Sequence, residues 1–508
     1  MRFAKIGVVL SVATIFLTIL YLLLSISSAQ AAEIRHVAMG GVDAGDCLAA
    51  PCATLDYAIQ QASAGDTILI ADGVYTEAGI KVDKTLLIQG ESREGTIIQA
   101  DVTPHTASDR VFEITGEITA VIETMTIRYG LAGSFARGGG IWINDYSTVT
   151  TVTLNNLVVS ENGAYNGGGI ANDGGVTIVN NTVVTGNFTT GNSGAGLLND
   201  NQGLLTINSS TVSNNWTTGE DRVGGGVGTA GENSVTVLNN STVSNNRATG
   251  HSGGIHNGVY VPSTTIVNNS TIVGNTADSD NDGSGNGGGV NNLNGTVSLY
   301  NTILANNIDM GGESPDCAAV ITSQDHNLIE VDLGCDVVGS TGNNLSGDPV
   351  LSPLADHGGP TLTHAFLPGS PVVDAADNHS CPETDQRGTI RPQGAACDIG
   401  AYEHVGVTAV ADEANTTANA PILIDVLSND QPGDISNLSI VALNEPLLGS
   451  AVLSGTMVFY TPALHFSGVE AFSYTATDGL ATSGTIVTVT VTPSDKDQIL
   501  YLPLVRAP

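Results

Sequence analysis

Asp173 and Asp200 close two successive copies of one short phrase, I-A-N-D and L-L-N-D, and Asp145 ends a third, I-W-I-N-D. Stacked as neighbouring strands, the first two carboxylates would lie about 5 Å apart. At that distance like charges raise one pKa or recruit a cation, and paired carboxyls are the equipment of retaining glycoside hydrolysis. The competing reading is turn chemistry, because Asn-Asp before Gly or a polar residue is ordinary in turns. His251 and His256 flank Gly253-Gly254. They are candidate acid-base groups, although five residues apart across a glycine turn they read rather as solvent-facing.

Asp278-Ser279-Asp280-Asn281-Asp282-Gly283 opens like a calcium loop, yet the twelfth position is Gly289. No EF-hand is therefore complete. Asp278, Asp280 and Asp282 are candidate ligands for calcium or another hard cation, against the alternative of a solvated acidic insertion. No cofactor is required by the sequence.

These residues need an element that repeats. One phrase recurs from Leu154, Val179, Ile207, Leu238, Val267 and Leu299, closing on Asn162, Asn187, Asn215, Asn246, Asn275 and Asn307. Clusters such as Gly167 to Gly169 before Ile170 separate the copies. A period of roughly 30 residues implies a solenoid, and β-branched runs between Gly and Asn make it a β-solenoid. Stacking would align Asn156, Asn181, Asn240, Asn269 and Asn301 into an amide ladder of left-handed turn residues, interrupted by Ser209. Several of these Asn also sit in N-x-S/T sequons, so glycosylation is the functional alternative.

The pattern resembles the right-handed parallel β-helix of the pectin-lyase-like superfamily. The stretch from Gly40 to Cys52, continuing A-T-L-D-Y-A-I-Q-Q-A, resembles the opening of many secreted β-helix proteins. Thr54 can cap a short helix whose Leu55, Ala58, Ile59 and Ala62 share one face and plug the solenoid end. The resemblance brings enzymes into consideration. However, the N-T-D, D-D, G-H-G and R-I-K stretches of polygalacturonase-like members are absent, and between residues 138 and 306 the arginines are Arg222 and Arg247.

Formal net charge is −35, with 15 Lys+Arg against 50 Asp+Glu. Such a chain is repelled by nucleic acid and anionic membranes. Residues 1–31 carry Arg2 and Lys5, an apolar run from Ile6 to Leu24 and Ala29-Gln30-Ala31, the signature of a secretory signal peptide. The run is also long enough for an uncleaved anchor. Six cysteines suit an exported protein, and as close neighbours they are expected to pair Cys47 with Cys52, Cys317 with Cys335 and Cys381 with Cys397.

The solenoid is expected over 32–345. Residues 346–406 then resemble the choice-of-anchor Q module through G-D-P-V-L-S-P-L-A-D-H-G-G-P and D-Q-R-G-T-I-R-P. Its matched positions carry no assigned catalytic role by that resemblance, and Arg387 and Arg391 beside Asp385, Asp398 and Glu403 suggest bidentate ion pairs. A catalytic arginine is the rival. Residues 407–493 alternate as strands and resemble cadherin-like, immunoglobulin-like sandwich repeats of bacterial surface proteins. Asp412, Glu413, Asp425, Asp430, Asp434 and Asp478 fall where calcium-binding relatives place acids, the alternative being solvated turns. The tail, 494–508, is too short to span a membrane.

The expected fold is thus all-β, a parallel β-helix followed by a small sandwich. The expected role is a secreted or bacterial cell-surface protein, non-catalytic, in adhesion or contact with an extracellular glycan or surface partner. It would bind no nucleic acid and keep no membrane span after signal cleavage. The alternative is a polysaccharide lyase or glycoside hydrolase acting in a groove along the rod, and a third is a purely structural envelope component.

Overall fold

The computed structural model describes residues 32–145, 149–191, 193–258 and 261–494. The expected signal peptide and residues 495–508 lie outside the described residues. In the strand Thr151–Ser160, Val152 and Leu154 are buried, then Leu157 and Val159. The step of three marks a corner. Asn156 has φ 51°, and its left-handed conformation bends the strand and resets which side chains face inward. The equivalent residues Asn181, Ser209, Asn240, Asn269 and Asn301 have φ between 46° and 53°.

Each repeat pairs in parallel with the next. Val176–Asn180 lies between Thr151–Asn155 and Leu204–Asn208, and Ile170–Asp173 lies between Ile141–Asn144 and Leu197–Asp200. A third column contains Val183–Thr185, Thr211–Ser213 and Thr242–Ser244, and a short fourth contains Gly163–Ala164, Phe188–Thr189 and Trp216–Thr217. The molecule is therefore a parallel β-solenoid with one continuous aliphatic core from Val37 to Ile329. Its first end is closed by the helix Leu55–Gln61, where Thr54 accepts from the Tyr57 backbone N–H at 3.3 Å and Leu55, Ala58 and Ile59 are buried.

The small-residue clusters answer a close approach between coils. A Cβ on Gly169, Gly196 or Gly226 would stand 2.6 Å from the carbonyl oxygen of Gly196, Gly226 or Gly254 respectively. No side chain fits there.

The amide ladders occupy other columns than the one expected. Asn162, Asn187, Asn215, Asn246 and Asn275 each donate from Nδ2 to the next closing Asn, at 2.9–3.0 Å, and Asn307 donates to Asp316 at 2.9 Å. A second ladder links Asn155, Asn180, Asn208, Asn239 and Asn268. In the expected column, Asn301 bonds Asn269 at 3.1 Å, while Asn240 and Asn269 donate to the Thr384 and Ser380 carbonyls. The physical reason is the corner itself: a left-handed residue turns its side chain out of the stacking direction, and there it meets residues 346–406.

That segment runs back along the side of the solenoid. His364 meets Ser244 at 2.9 Å, Gln386 bonds both Thr211 and Thr242, and the Gly400 N–H donates to the Asn301 carbonyl. Phe366, Val372, Ile399 and Tyr402 pack there on Val273, Ile303 and Leu328. Disulfides join Cys47–Cys52, Cys317–Cys335 and Cys381–Cys397. Beyond it, a four-stranded and a three-stranded sheet enclose Val426, Val458, Tyr460, Phe472, Tyr474 and Val487.

Candidate functional site

The parallel pairing sets Asp173 directly opposite Asp200. Between them stands a cation of the chain itself: Arg137 Nη1 reaches Asp173 Oδ1 at 2.9 Å and Asp200 Oδ2 at 2.5 Å. Asn201 Nδ2 also donates to Asp173. The Asp173 side chain is fully buried, and its Oδ2 has no hydrogen-bond partner. Asp145 lies one register step away, with Asn144 opposite Asp173, and its Oδ2 accepts from the Val149 and Thr150 backbone N–H groups. A single guanidinium thus bridges the pair and offsets one of its two negative charges. Arg137 stands just before the first glycine cluster, one position ahead of the stretch 138–306 in which Arg222 and Arg247 lie.

Behind this pair runs an inward polar column that alternation does not reveal. Asn172 Nδ2 donates to Asn199 Oδ1 at 2.8 Å, and Asn257 Nδ2 to Asn292 Oδ1 at 2.9 Å. In the Asn172-Asp173 and Asn199-Asp200 phrases the Asn is buried in this inward column, whereas Asn144 stands in register with Asp173 and donates to Glu113 instead.

The histidines are not solvent-facing. His256 lies in the strand Ile255–Asn257, fully buried, with neither ring nitrogen hydrogen-bonded. Burial, with His251 adding repulsion, pushes its pKa down to about 3. The imidazole is therefore neutral at ordinary pH and out of reach of a substrate. The cause is the close coil spacing: the Gly224 backbone lies so near that a Cβ there would stand 3.2 Å from the His256 Cβ. His251 is half-buried, and its ring stacks toward His256 at 6.4 Å.

Asp278, Asp280 and Asp282 present oxygens that all lie within 4.8 Å of one another, the metal-ligand grouping found among the described residues. Asp278 is buried and accepts from the Asp282 N–H at 3.0 Å, whereas Asp280 and Asp282 are exposed. An all-oxygen set suits a hard cation. The sandwich acids form no such grouping. Asp430 accepts from the Tyr474 hydroxyl at 2.8 Å, Asp478 meets His404 Nε2 at 2.9 Å, and Asp425 and Glu413 are exposed. Burial, then Asp430, pushes buried Asp412 up to about 6.

The arginines of the lateral segment are spent on partners within the protein. Arg387 pairs with Asp385 at 2.8 Å and lies over the Tyr402 ring, while Arg391 is bound by the Asp398 and Gly400 carbonyls at 2.9 and 2.8 Å. Neither guanidinium has the open side a catalytic arginine needs.

The family model described as a bacterial Ig domain matches residues 406–492. This C-terminal unit is a bacterial Ig domain. No curated protein matches the sequence. Among solved structures the chain is similar to pectate lyase Pel9A, at 13% identity and a TM-score of 0.45, over 73% of this chain and 96% of that one. It is also similar to the pectin methylesterase PemA from Erwinia chrysanthemi, at 14% identity and a TM-score of 0.26, over 60% of this chain and 80% of that one. At such scores neither likeness carries chemistry across, and the solenoid stands on its own strand pairing. Among the described residues no helix is long and apolar enough to cross a membrane.

Proposed function

We propose that this is an extracellular bacterial protein, at the cell surface or released, whose solenoid makes non-catalytic contact with a glycan or surface partner while the Ig domain extends it. The observation that carries the reading is the closure of the Asp173–Asp200 pair. A retaining hydrolase needs two carboxyls open to a sugar, and here one guanidinium occupies the space between them and Asp173 is buried. Secretion is supported by the signal-like residues 1–31 and the three disulfides. Calcium is an accessory ligand in this reading, held by Asp278, Asp280 and Asp282.

The test is a release assay on acidic and neutral polysaccharides, with and without calcium, scoring new reducing ends and unsaturated-product absorbance beside a pull-down on the same polymers. Retention without product is the expected outcome. Product that disappears in Asp173→Ala or Asp200→Ala would replace this reading with a lyase or hydrolase.

A further inference from the structure

On the short fourth column the outward side chains stack in order along the rod: Phe188 opposite Trp216, Trp216 beside Arg247, Arg247 beside Thr276, and Thr276 opposite Ile308. Phe188 and Trp216 lie nearly parallel, with centroids 5.6 Å apart and planes at 17°. One indole face is thereby covered, and the other looks along the rod toward the Arg247 coil. Thr276 is short, and the column dips there into a surface groove of about 680 Å³ lined by Asn214, Trp216, Asn245, Arg247, Thr276 and Met310. That volume falls in the range of small-molecule sites.

Three features of the lining point to a ligand. Asn214 and Asn245 are exposed, with φ 55° and 59°, so the corner presents two amides at the rim. Met310 is 47% exposed and supplies an apolar wall. Arg247 is exposed and, among the described arginines, is the one whose guanidinium enters no hydrogen bond, ion pair or ring contact. Lys81 is likewise exposed and unpartnered, but it lies in the strand Ile80–Val82 and does not line this groove. The other described arginines all have partners. A planar fork of donors beside an open indole face and two amides suits a flat, hydroxyl-rich ring carrying an anionic group.

We propose that the Trp216–Arg247 groove binds a sugar bearing an anionic substituent, its ring against the indole and its charge on the guanidinium. The proposal rests on the glycan-contact reading above and names the place and the ligand chemistry. Carboxylate and sulfate share that chemistry. Trp216 to Ile308 spans three inter-coil steps, about 14 Å, so the probe is a short oligosaccharide rather than a monosaccharide.

The full chain is titrated with a uronate oligosaccharide, its carboxyl-reduced counterpart and a sulfated oligosaccharide of similar length, followed by calorimetry and tryptophan fluorescence. Circular dichroism and melting confirm that each variant is folded. Trp216→Ala is expected to weaken every ligand that binds by at least about tenfold. Arg247→Gln should weaken the charged ligand by a similar factor and leave the reduced sugar unchanged, and Arg247→Lys should recover only part of the loss, lacking the fork. Whichever anionic ligand shows the Arg247 dependence is the source. Binding that survives both Trp216→Ala and Arg247→Gln would overturn the groove while leaving glycan contact intact. Binding of none of the three probes by the parent chain would overturn the groove too, and retention of polymer in the pull-down separates that outcome from failure of the wider reading.

Discussion

Asp316 shows how a single side chain can terminate a periodic structure. It is the last acceptor of the closing-Asn ladder, taking the Asn307 amide on Oδ1 and the Val331 N–H on Oδ2. A carboxylate serves here because both its oxygens accept, whereas the amide of an Asn would turn one donor toward Val331. Burial nevertheless pushes the carboxyl from 3.8 up to about 6, outweighing those donors. The fold holds the proton more tightly than the unfolded chain does, so stability falls as pH rises from the unfolded value through about 6. Measured against Asp316→Asn, the parent should lose about 3 kcal/mol of relative stability across that window. Denaturation midpoints at a series of pH values read the difference, and a flat difference would remove Asp316 as its source.

At the scale of the element, the ladders brace coils whose spacing the strand pairing sets. Asn215 Oδ1 accepts both the Asn187 N–H and its side-chain amide, at 2.9 and 3.0 Å, and Asn215 Nδ2 donates to the Val184 carbonyl at 3.0 Å. All of these groups are sealed from water, and an unmet buried donor costs about 1–3 kcal/mol. Asn215→Ala should therefore lower stability by about 3 kcal/mol or more. Asn180→Ala, in the half-exposed second ladder, should cost about 1 kcal/mol because its neighbours can turn to water. Equal losses in the two variants would show that burial is not what gives the closing Asn its weight. That amide ladders form follows from the sequence, since Asn recurs at the repeat period. Which Asn column bonds does not, because Asn155 and Asn156 are adjacent and the left-handed corner alone decides that the first stacks and the second faces outward.

At the scale of the molecule, the lateral segment joins solenoid to Ig domain. It is pinned to the solenoid by Gln386 and the Phe366–Tyr402 cluster, and to the Ig domain by His404–Asp478 at 2.9 Å and Arg387–Asp434 at 3.4 Å. Cys381–Cys397 closes a 16-residue span within it. A loop of that size contributes about 3 kcal/mol by restricting the open chain. Replacing both cysteines with Ser should release the segment before the solenoid unfolds. Hydrogen exchange should then accelerate across 346–406 and at Val273 and Ile303, while Leu205 and Leu238 in the core stay protected. Loss of protection throughout would mean that the segment is part of one cooperative unit.

Residue types and their period determined the solenoid, the capping helix, the pairing of Cys47, Cys317 and Cys381 with their neighbours in sequence, and the sandwich at the C-terminal end. Each of these depends on local chemistry: alternation, left-handed corners, a Thr cap and short loops between cysteines. Tertiary structure decided what lies between coils. Arg137 comes to Asp173 and Asp200 from 36 and 63 residues away. His256 is buried beside Gly224 of another coil, and the segment after 345 lies along the rod's side. Such contacts depend on the stagger of successive turns, whose lengths vary from repeat to repeat. For the same reason the groove at Trp216 and Arg247 becomes visible only once the coils are stacked, since a Trp and an Arg 31 residues apart announce no site in a sequence.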